Sequence, residues 1–233
     1  MWRIDFFSFG RVVEYFPKLL SKLHITLLIA VSSTLFGLVL ATLIAIVLLF
    51  KLPVLYQLAR VYISFIRAIP VNIQLFIFYY GLPMLLTPIL MPFGINPRRA
   101  DAVYFVIATY GISSAAFMSV MLSAAIRGVD VGQSEAALSI GMTRWQMFRR
   151  VIAPQAYHIA LPELGNNIIV NLKNTALAFT VGVIDMVGMI RAIAARTTHT
   201  LEGYVGAAFI YFVICTLLEK FFSRIEKKSK IFR

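Results

Sequence analysis

The sequence predicts an all-α integral membrane protein with about five transmembrane helices, and three observations carry that expectation. Of the 233 residues, 60% are hydrophobic and only 14% are charged, against about 25% charged in soluble domains. No Asp, Glu, Lys or Arg lies between Lys22 and Lys51, between Arg67 and Arg98, or between Asp101 and Arg127. Each gap exceeds the roughly 20 residues that a helix needs to cross the hydrocarbon core. Finally, 22 basic and 10 acidic residues are too few to cover a soluble surface, because a folded chain of this size still exposes roughly a third of its unfolded area.

Residues 1–18 read as an interfacial segment, with Trp2, Phe6, Phe7, Phe9, Tyr15 and Phe16 interleaved with Arg3, Asp5, Arg11 and Glu14. Aromatic rings with polar edges suit the headgroup region. Span 1 covers 21–48; it is longer than a signal-peptide core and lacks a small-residue cleavage site, so it is expected to be retained. Lys51, Pro53, Gln57 and Arg60 mark the approach to span 2 over 57–82. Pro83, Pro88, Pro92 and Pro97 predict a broken stretch closed by Arg98 and Arg99, and span 3 comes next over 101–126. Residues 127–160 are polar enough to leave the bilayer. Span 4, over 165–190, is interrupted by Asn166, Asn167, Asn171, Lys173 and Asn174; lipid tolerates these only if they face protein or a water-filled path. Span 5 covers 203–221 and a basic tail covers 222–233. The whole of 1–233 reads as a single transmembrane domain.

Charge sets the expected orientation. Lys220, Arg224, Lys227, Lys228, Lys230 and Arg233 place the C-terminus in the cytoplasm. Counting back through five spans puts 127–160 inside, 83–100 outside and the N-terminus outside. The net charge of +12 would point to nucleic acid in a soluble protein. Here the bases sit at segment ends, so nucleic acid is not an expected partner. A single cysteine, Cys215, excludes an intramolecular disulfide framework. His24, His158, His199 and Cys215 have no metal-ligand spacing, and no G-x-x-x-x-G-K-S/T phosphate loop is present. Ser113-Ser114 has no visible general base. The reading is of a chain that is not an enzyme, with no catalytic residue, no metal and no bound cofactor of its own.

The loop at 127–160 has its own pattern. Asp130 with Gln133, and Thr143 with Gln146, have capping-box spacing, and Gly141 lies where a helix can close with positive φ. The expected product is a helix over 131–140, a turn at Gly141-Met142, and a helix over 144–152 ending before Pro154. Trp145, Phe148 and Ile152 fall on one side of the second helix, with Arg144, Gln146, Arg149 and Arg150 as polar cover. Such a helix either fills a groove on a partner or lies on the inner lipid surface.

Glu135-Ala136-Ala137, Gly141, Val151 and Pro154 together resemble the EAA loop of permease subunits in bacterial ATP-binding-cassette importers. Where that family continues Ile-x-Leu-Pro, this chain has Val151-Ile152-Ala153-Pro154. The run Arg67-Ala68-Ile69-Pro70-Val71-Asn72-Ile73-Gln74-Leu75-Phe76, then Tyr80-Gly81-Leu82-Pro83, Leu161-Pro162 and Leu172-Lys173-Asn174-Thr175-Ala176-Leu177, resembles the polar amino-acid permeases, with some likeness to the cystine branch.

The resemblance implies a type I importer-permease fold in a bacterial cytoplasmic membrane. It implies two cytoplasmic ATPase subunits that hold ATP and magnesium, a second identical or homologous permease, and an extracytoplasmic substrate-binding protein. The substrate would be a polar amino acid, with L-cystine as one candidate. Coupling to the ATPase would fall to Glu135, Ala136, Ala137, Gly141, Trp145 and Phe148; a structural pairing of Glu135 with Arg144, Arg149 or a base of a partner is the alternative. Candidates for the substrate pathway are Asn72, Gln74, Ser114, Ser119, Asn167, Asn171, Lys173 and Asn174, because polar side chains in lipid require hydrogen-bond partners. A solute or a neighbouring helix would serve equally. Lys173 would bind a substrate carboxylate, pair with Glu163 or Asp185, or snorkel from a helix end. In span 3 the family reads Ala-Tyr-x-x-Glu-x-x-Arg. Here Ser119 is read in place of the acid and Leu122 in place of the base, leaving either a changed pathway lining or the joint loss of a structural ion pair. The competing class is an ATP-independent secondary transporter or channel, for which no coupling-ion site or internal repeat is visible.

Overall fold

The computed structural model describes residues 7–197 and 199–229. In chain order the helices are α1 Phe9–Leu20, α2 Leu23–Phe50, α3 Pro53–Ala68, α4 Val71–Phe93, α5 Ala102–Arg127, α6 Val131–Ser139, α7 Arg144–Val181, α8 Met186–Thr197 and α9 Leu201–Ser229. Widened π-turns interrupt α4 at Ile77–Gly81 and α7 at Phe148–Ile152, and α7 tightens to 3-10 geometry over Thr175–Val181. By length and composition α2, α4, α5 and α9 can each cross a membrane, and α7 with α8, bent by 41°, makes a fifth crossing if the pair is one span.

The bundle is organised around α5. Of its most apolar stretch 61% is buried, against 28% for α2, so α5 is the central helix and α2 is an outer wall of the bundle. Along α2, Ser33, Gly37, Ala41 and Ala45 recur every four residues and are buried. Residues at that spacing share one helix face, and small ones let backbones approach in lipid, where packing rather than hydrophobic burial holds helices together. A side-chain carbon added to Gly37 would lie 2.8 Å from the Gly111 carbonyl oxygen of α5, and one added to Gly111 would run into the Phe36 ring. On the opposite faces of α2, Leu28, Val31, Leu35, Val39 and Leu43 are exposed.

Spans 1 and 3 fall where expected, and Asp101 caps α5 by accepting from the Val103 N–H at 2.9 Å. Span 2 does not. The helix expected over 57–82 is two helices, broken at Ile69-Pro70, where Ile69 is extended (φ −99°, ψ 132°). Proline disfavours helical geometry in the residue before it and removes a backbone donor. The membrane-length member is α4, 23 residues long and starting after Pro70. It runs through Pro83 and Pro88 instead of breaking there. The π-turn at Ile77–Gly81 sits one turn ahead of Pro83, and the wider turn there relieves the clash with the preceding carbonyl.

Span 4 is also recast. α7 begins in the loop at Arg144 and continues to Val181, so the helix expected to stop before Pro154 instead passes through the π-turn at Phe148–Ile152. The membrane break lies later, at Gly182 (φ +89°), after which buried Asp185 accepts from Gly188 N–H at 2.8 Å and starts α8. Thr26 of α2 accepts from the Met186 N–H at 3.2 Å, tying the break to the wall. The last helix continues past 221 to Ser229, so much of the expected tail is helical.

The interfacial segment is represented by α1, which buries Tyr15 and Leu19 while leaving Phe9 and Val13 exposed. Trp2, Arg3, Asp5 and Phe6 lie outside the described residues, as do Lys230 and Arg233 of the basic cluster. Arg11 of α1, His199 and the buried Glu202 of α9 form a small ion cluster, with Arg11 3.5 Å and His199 3.7 Å from the carboxylate. Cys215 is free and buried, within the Ala30, Ile169 and Leu172 cluster.

Gly37→Val is expected to destabilise the chain by about 1–3 kcal/mol through overpacking against Gly111. Thermal unfolding of the purified chain in detergent checks this; an unchanged midpoint would show that α2 and α5 do not depend on the close approach.

Candidate functional site

Two places on the molecule carry the residues that the sequence singles out. The first is the helical hairpin formed by α6 and the start of α7. Asp130 begins α6 by accepting from Gly132 N–H at 2.6 Å; the expected reciprocal bond from Gln133 is replaced by a contact to Gln155 at 3.3 Å. Gly141 closes the helix at φ +83°, with Gly141 N–H reaching the Leu138 carbonyl and Met142 N–H the Ala137 carbonyl. This pairing satisfies two helix-end acceptors and needs a residue that tolerates positive φ. The next helix opens with a complete capping box: Thr143 N–H donates to Gln146 Oε1 at 2.9 Å, and Gln146 N–H to Thr143 Oγ1 at 3.3 Å.

The hairpin therefore has both ends of its turn fixed, and it is seated on the bundle. Ile152, Ala156 and Ala160 pack against Ala125 and Val129, and Arg127 donates to the Leu48 carbonyl at 2.8 Å. Ile152 is thus part of the seat, not of the outward stripe. Trp145 and Phe148 remain outward, stacked at 6.0 Å between ring centroids, with Trp145 67% exposed. Glu135, Ala136 and Gly141 are exposed, while Ala137 is buried beneath them. Glu135 makes no ion pair with Arg144 or Arg149 within the described residues. The result is a doubly capped tip carrying a carboxylate with no ion pair among the described residues, a small-residue face and an exposed aromatic pair.

The second place is a polar cavity of about 240 Å³ between α5 and α7. Its lining includes Ser114 from α5 and Glu163, Asn166, Asn167, Asn171 and Asn174 from α7. Glu163, Asn167, Val170 and Asn174 fall at helical spacing, so one face of α7 forms a polar row. Asn167 Oδ1 is buried and accepts no hydrogen bond among the described residues. Asn171 also serves as an interhelical clamp, donating to Ser33 at 2.8 Å and Thr34 at 2.9 Å of α2.

The other pathway candidates are elsewhere. Gln74 is buried and donates to the Ile66 carbonyl at 2.7 Å and the Ile69 carbonyl at 2.8 Å. It thereby satisfies the carbonyls that the Pro70 break leaves open. Asn72 is exposed on α4 and Lys173 is exposed on α7, with no ion pair to Glu163 or Asp185. Ser119 is fully buried, its hydroxyl donating to the Ala116 carbonyl at 3.2 Å. Counted from Ala116-Phe117, the family's acid falls at Val120 and its base at Ser123, one place beyond Ser119 and Leu122. Val120 and Ser123 line a larger cavity, of about 1010 Å³, that Arg67 also lines. Glu163, which the sequence marks only as a partner for Lys173, is the acid of the polar row. Its spacing to Asn167 and Asn174 was the available signal. Among the described residues no group of three His, Cys, Asp or Glu could hold a metal ion.

A bundle of membrane-length helices with a capped helical hairpin and a polar row along α7 has the build of a polytopic transport subunit. A family model described as binding-protein-dependent transport system inner membrane component matches residues 17–231, and the chain belongs to that family: it is a transmembrane permease subunit and not an enzyme. The L-cystine transport system permease protein TcyL of Bacillus subtilis (strain 168) is 40% identical over 96% of this chain and 92% of its own. The probable amino-acid permease protein YxeN of the same organism is 37% identical over 93% and 95% of the two chains. A crystal structure of an amino acid ABC transporter with histidines superposes with a TM-score of 0.81 at 33% identity, covering 95% of this chain and 99% of that one.

Gln74→Met removes both donors at the Pro70 elbow with little change in volume and is expected to cost about 1–3 kcal/mol. Chemical unfolding of the purified chain measures it. Asn72→Leu, at an exposed site, serves as the comparison and is expected to change stability by less than about 0.5 kcal/mol.

Proposed function

We propose that this chain is the permease half of an ATP-driven importer that moves a polar amino acid, L-cystine first among the candidates, into the cytoplasm. The observation that carries this is the doubly capped hairpin tip, on which Trp145 and Phe148 are stacked and exposed on one helix and Glu135 and Ala136 are exposed on the other. A stacked aromatic pair on a doubly capped turn is what a partner's groove accepts, and a hairpin seated on α5 and α7 can transmit the partner's state to the bundle. The names of the relatives, one an L-cystine system and others amino-acid systems, support the substrate class.

In this reading two copies of a separate ATPase hold ATP and magnesium and receive the hairpin. A second identical or homologous permease completes the pathway, and an extracytoplasmic binding protein delivers the solute. The polar row of Ser114, Glu163, Asn167, Asn171 and Asn174 lines this chain's share of the path. The hairpin and the C-terminus face the cytoplasm, and the N-terminus faces outward.

Uptake in vesicles reconstituted with the cognate partners tests the reading, comparing L-cystine with glutamine, arginine and histidine. One of them is expected to enter only with ATP; uptake without any nucleotide-hydrolysing subunit would instead make the chain a secondary transporter or channel. Trp145→Ala is expected to weaken ATPase copurification by at least about 2 kcal/mol, the scale of an aromatic hot spot. Gly141→Val, which strains a positive-φ turn, is expected to reduce coupled uptake more than Gly94→Val does. Unchanged ATPase binding in Trp145→Ala would remove the hairpin from the coupling role.

Orientation is read separately. Single cysteines at Ser139 and Ile95, introduced into Cys215→Ser, are expected to label oppositely with an impermeant maleimide on intact cells. Ile95→Cys should react, and Ser139→Cys should react only after permeabilisation.

A further inference from the structure

The larger cavity, of about 1010 Å³, is lined by Tyr56, Arg60, Ser64 and Arg67 of α3 and by Ser123 and Arg127 of α5, among others. No Asp or Glu belongs to its lining. On α3 the residues Arg60, Ser64 and Arg67 recur at i, i+4 and i+7, which places them in one row. The rest of that helix exposes Val54, Leu55, Leu58, Val61 and Phe65. α3 is not one of the membrane-length helices, and its two guanidinium charges belong against water or a counter-charge.

Each arginine is positioned by one contact that leaves most of its donors unspent. Arg127 uses one N–H on the Leu48 carbonyl at 2.8 Å. Arg60 lies 6.0 Å from the centre of the Tyr56 ring, and Arg67 lies 5.2 Å from the centre of the Phe117 ring. Neither contact consumes a carboxylate, and none of the three pairs with an acid within the described residues. Asp130, close in sequence to Arg127, caps Gly132. Arg67 also shares a small neighbouring cavity with Glu163 and Asn167, and those two residues line the polar row in turn. An acid at Val120, as in the family pattern, would face this chamber; the chain has valine there.

We propose that this three-arginine chamber is a binding site for small carboxylate solutes, with Arg60 and Arg67 as its main donors. The arginine fork matches a carboxylate with two parallel charge-assisted hydrogen bonds. The cavity is open, and its volume is no smaller than the roughly 300–1,000 Å³ of small-molecule sites, so a solute with two carboxylates fits and can engage Arg60 and Arg67, two turns apart on α3. Arg67, lining cavities on both sides, hands a carboxylate between this chamber and the polar row, where Glu163 faces the ammonium of a zwitterion. Placing the chamber at the cytoplasmic mouth rests on the import reading. The binding itself does not, and it is measured without transport, so failure of one is distinguishable from failure of the other.

Isothermal titration calorimetry on the full-length chain assembled with its ATPase, in phosphatidylcholine nanodiscs, provides the test, with glutarate as the probe and glutaramide as its uncharged counterpart. Glutarate is expected to bind at least tenfold more tightly than glutaramide. Arg60→Gln and Arg67→Gln are each expected to weaken it about tenfold, while Arg67→Lys retains part of the affinity and Arg224→Gln, on the distal end of α9, retains all of it. Equal heats for glutarate and glutaramide in the wild-type chain would overturn the proposal without reliance on any variant. So would equal weakening by Arg224→Gln. If nanodiscs containing phosphatidylglycerol abolish glutarate binding, the occupant is a lipid headgroup phosphate and the assignment to a soluble carboxylate fails.

Discussion

The close approach of α2 and α5 is the contact on which the bundle depends. Where Gly37 faces the Gly111 carbonyl, two backbones meet with no side chain between them. Lipid tails are as apolar as the helix surfaces, so nothing like the aqueous hydrophobic effect presses these helices together. What holds them is dispersion between closely fitted surfaces, together with hydrogen bonds that have no water to compete with. The buried row Ser33, Gly37, Ala41 and Ala45 provides the first. Asn171 of α7, bonded to Ser33 and Thr34, provides the second and extends the same wall to a third helix. A single seam thus positions α5 against α2 and α7 against both, and the polar cavity lies in the angle between α5 and α7.

Breaks in the helices arise from the demand that every backbone polar group in a membrane find a partner within the protein. At Ile69-Pro70 the open carbonyls of Ile66 and Ile69 are taken up by the Gln74 amide. At Gly182 the chain turns with positive φ, and Asp185 supplies the cap that restarts α8, with Thr26 accepting the Met186 N–H. Each break is therefore paired with a polar side chain that looks out of place in an apolar run until its partner is seen. Gln74 is such a residue at the Pro70 break, whereas Asn171 both clamps α7 to Ser33 and Thr34 and lines the polar cavity. Side chains that satisfy backbone and those that meet solute are the same few residue types, and only position separates them.

The hairpin is connected to that bundle by packing and by one charged contact. Its inner side, Ile152, Ala156 and Ala160, continues the α5 core past the end of the membrane-length stretch. Arg127 joins the root of the hairpin to the end of α2 through the Leu48 carbonyl. The same arginine lines the larger cavity, so the root of the hairpin and the cationic chamber share a residue.

By itself the sequence determined the membrane setting, the bounds of spans 1 and 3, and the helix-turn-helix of the loop, because charge-free runs, caps and a positive-φ glycine act over neighbouring residues. The EAA pattern likewise made the family legible, since its residues lie within one local element. Tertiary structure decided the rest. It moved span 2 beyond Pro70, since a π-turn ahead of Pro83 lets the helix continue, and a π-turn has no local signature in residue type. It placed Ile152 inward and Trp145 outward, although both sit on one predicted side, because the extra residue in the Phe148–Ile152 turn rotates the helix beyond it. It set Gln74, Ser119, Lys173 and Asn72 apart from the cavity between α5 and α7, which Glu163 and Asn166 line beside Ser114, Asn167, Asn171 and Asn174. Whether an amide or a hydroxyl faces a helix, a carbonyl or an open path is set by the partner across the gap, and that partner lies many residues away in the chain.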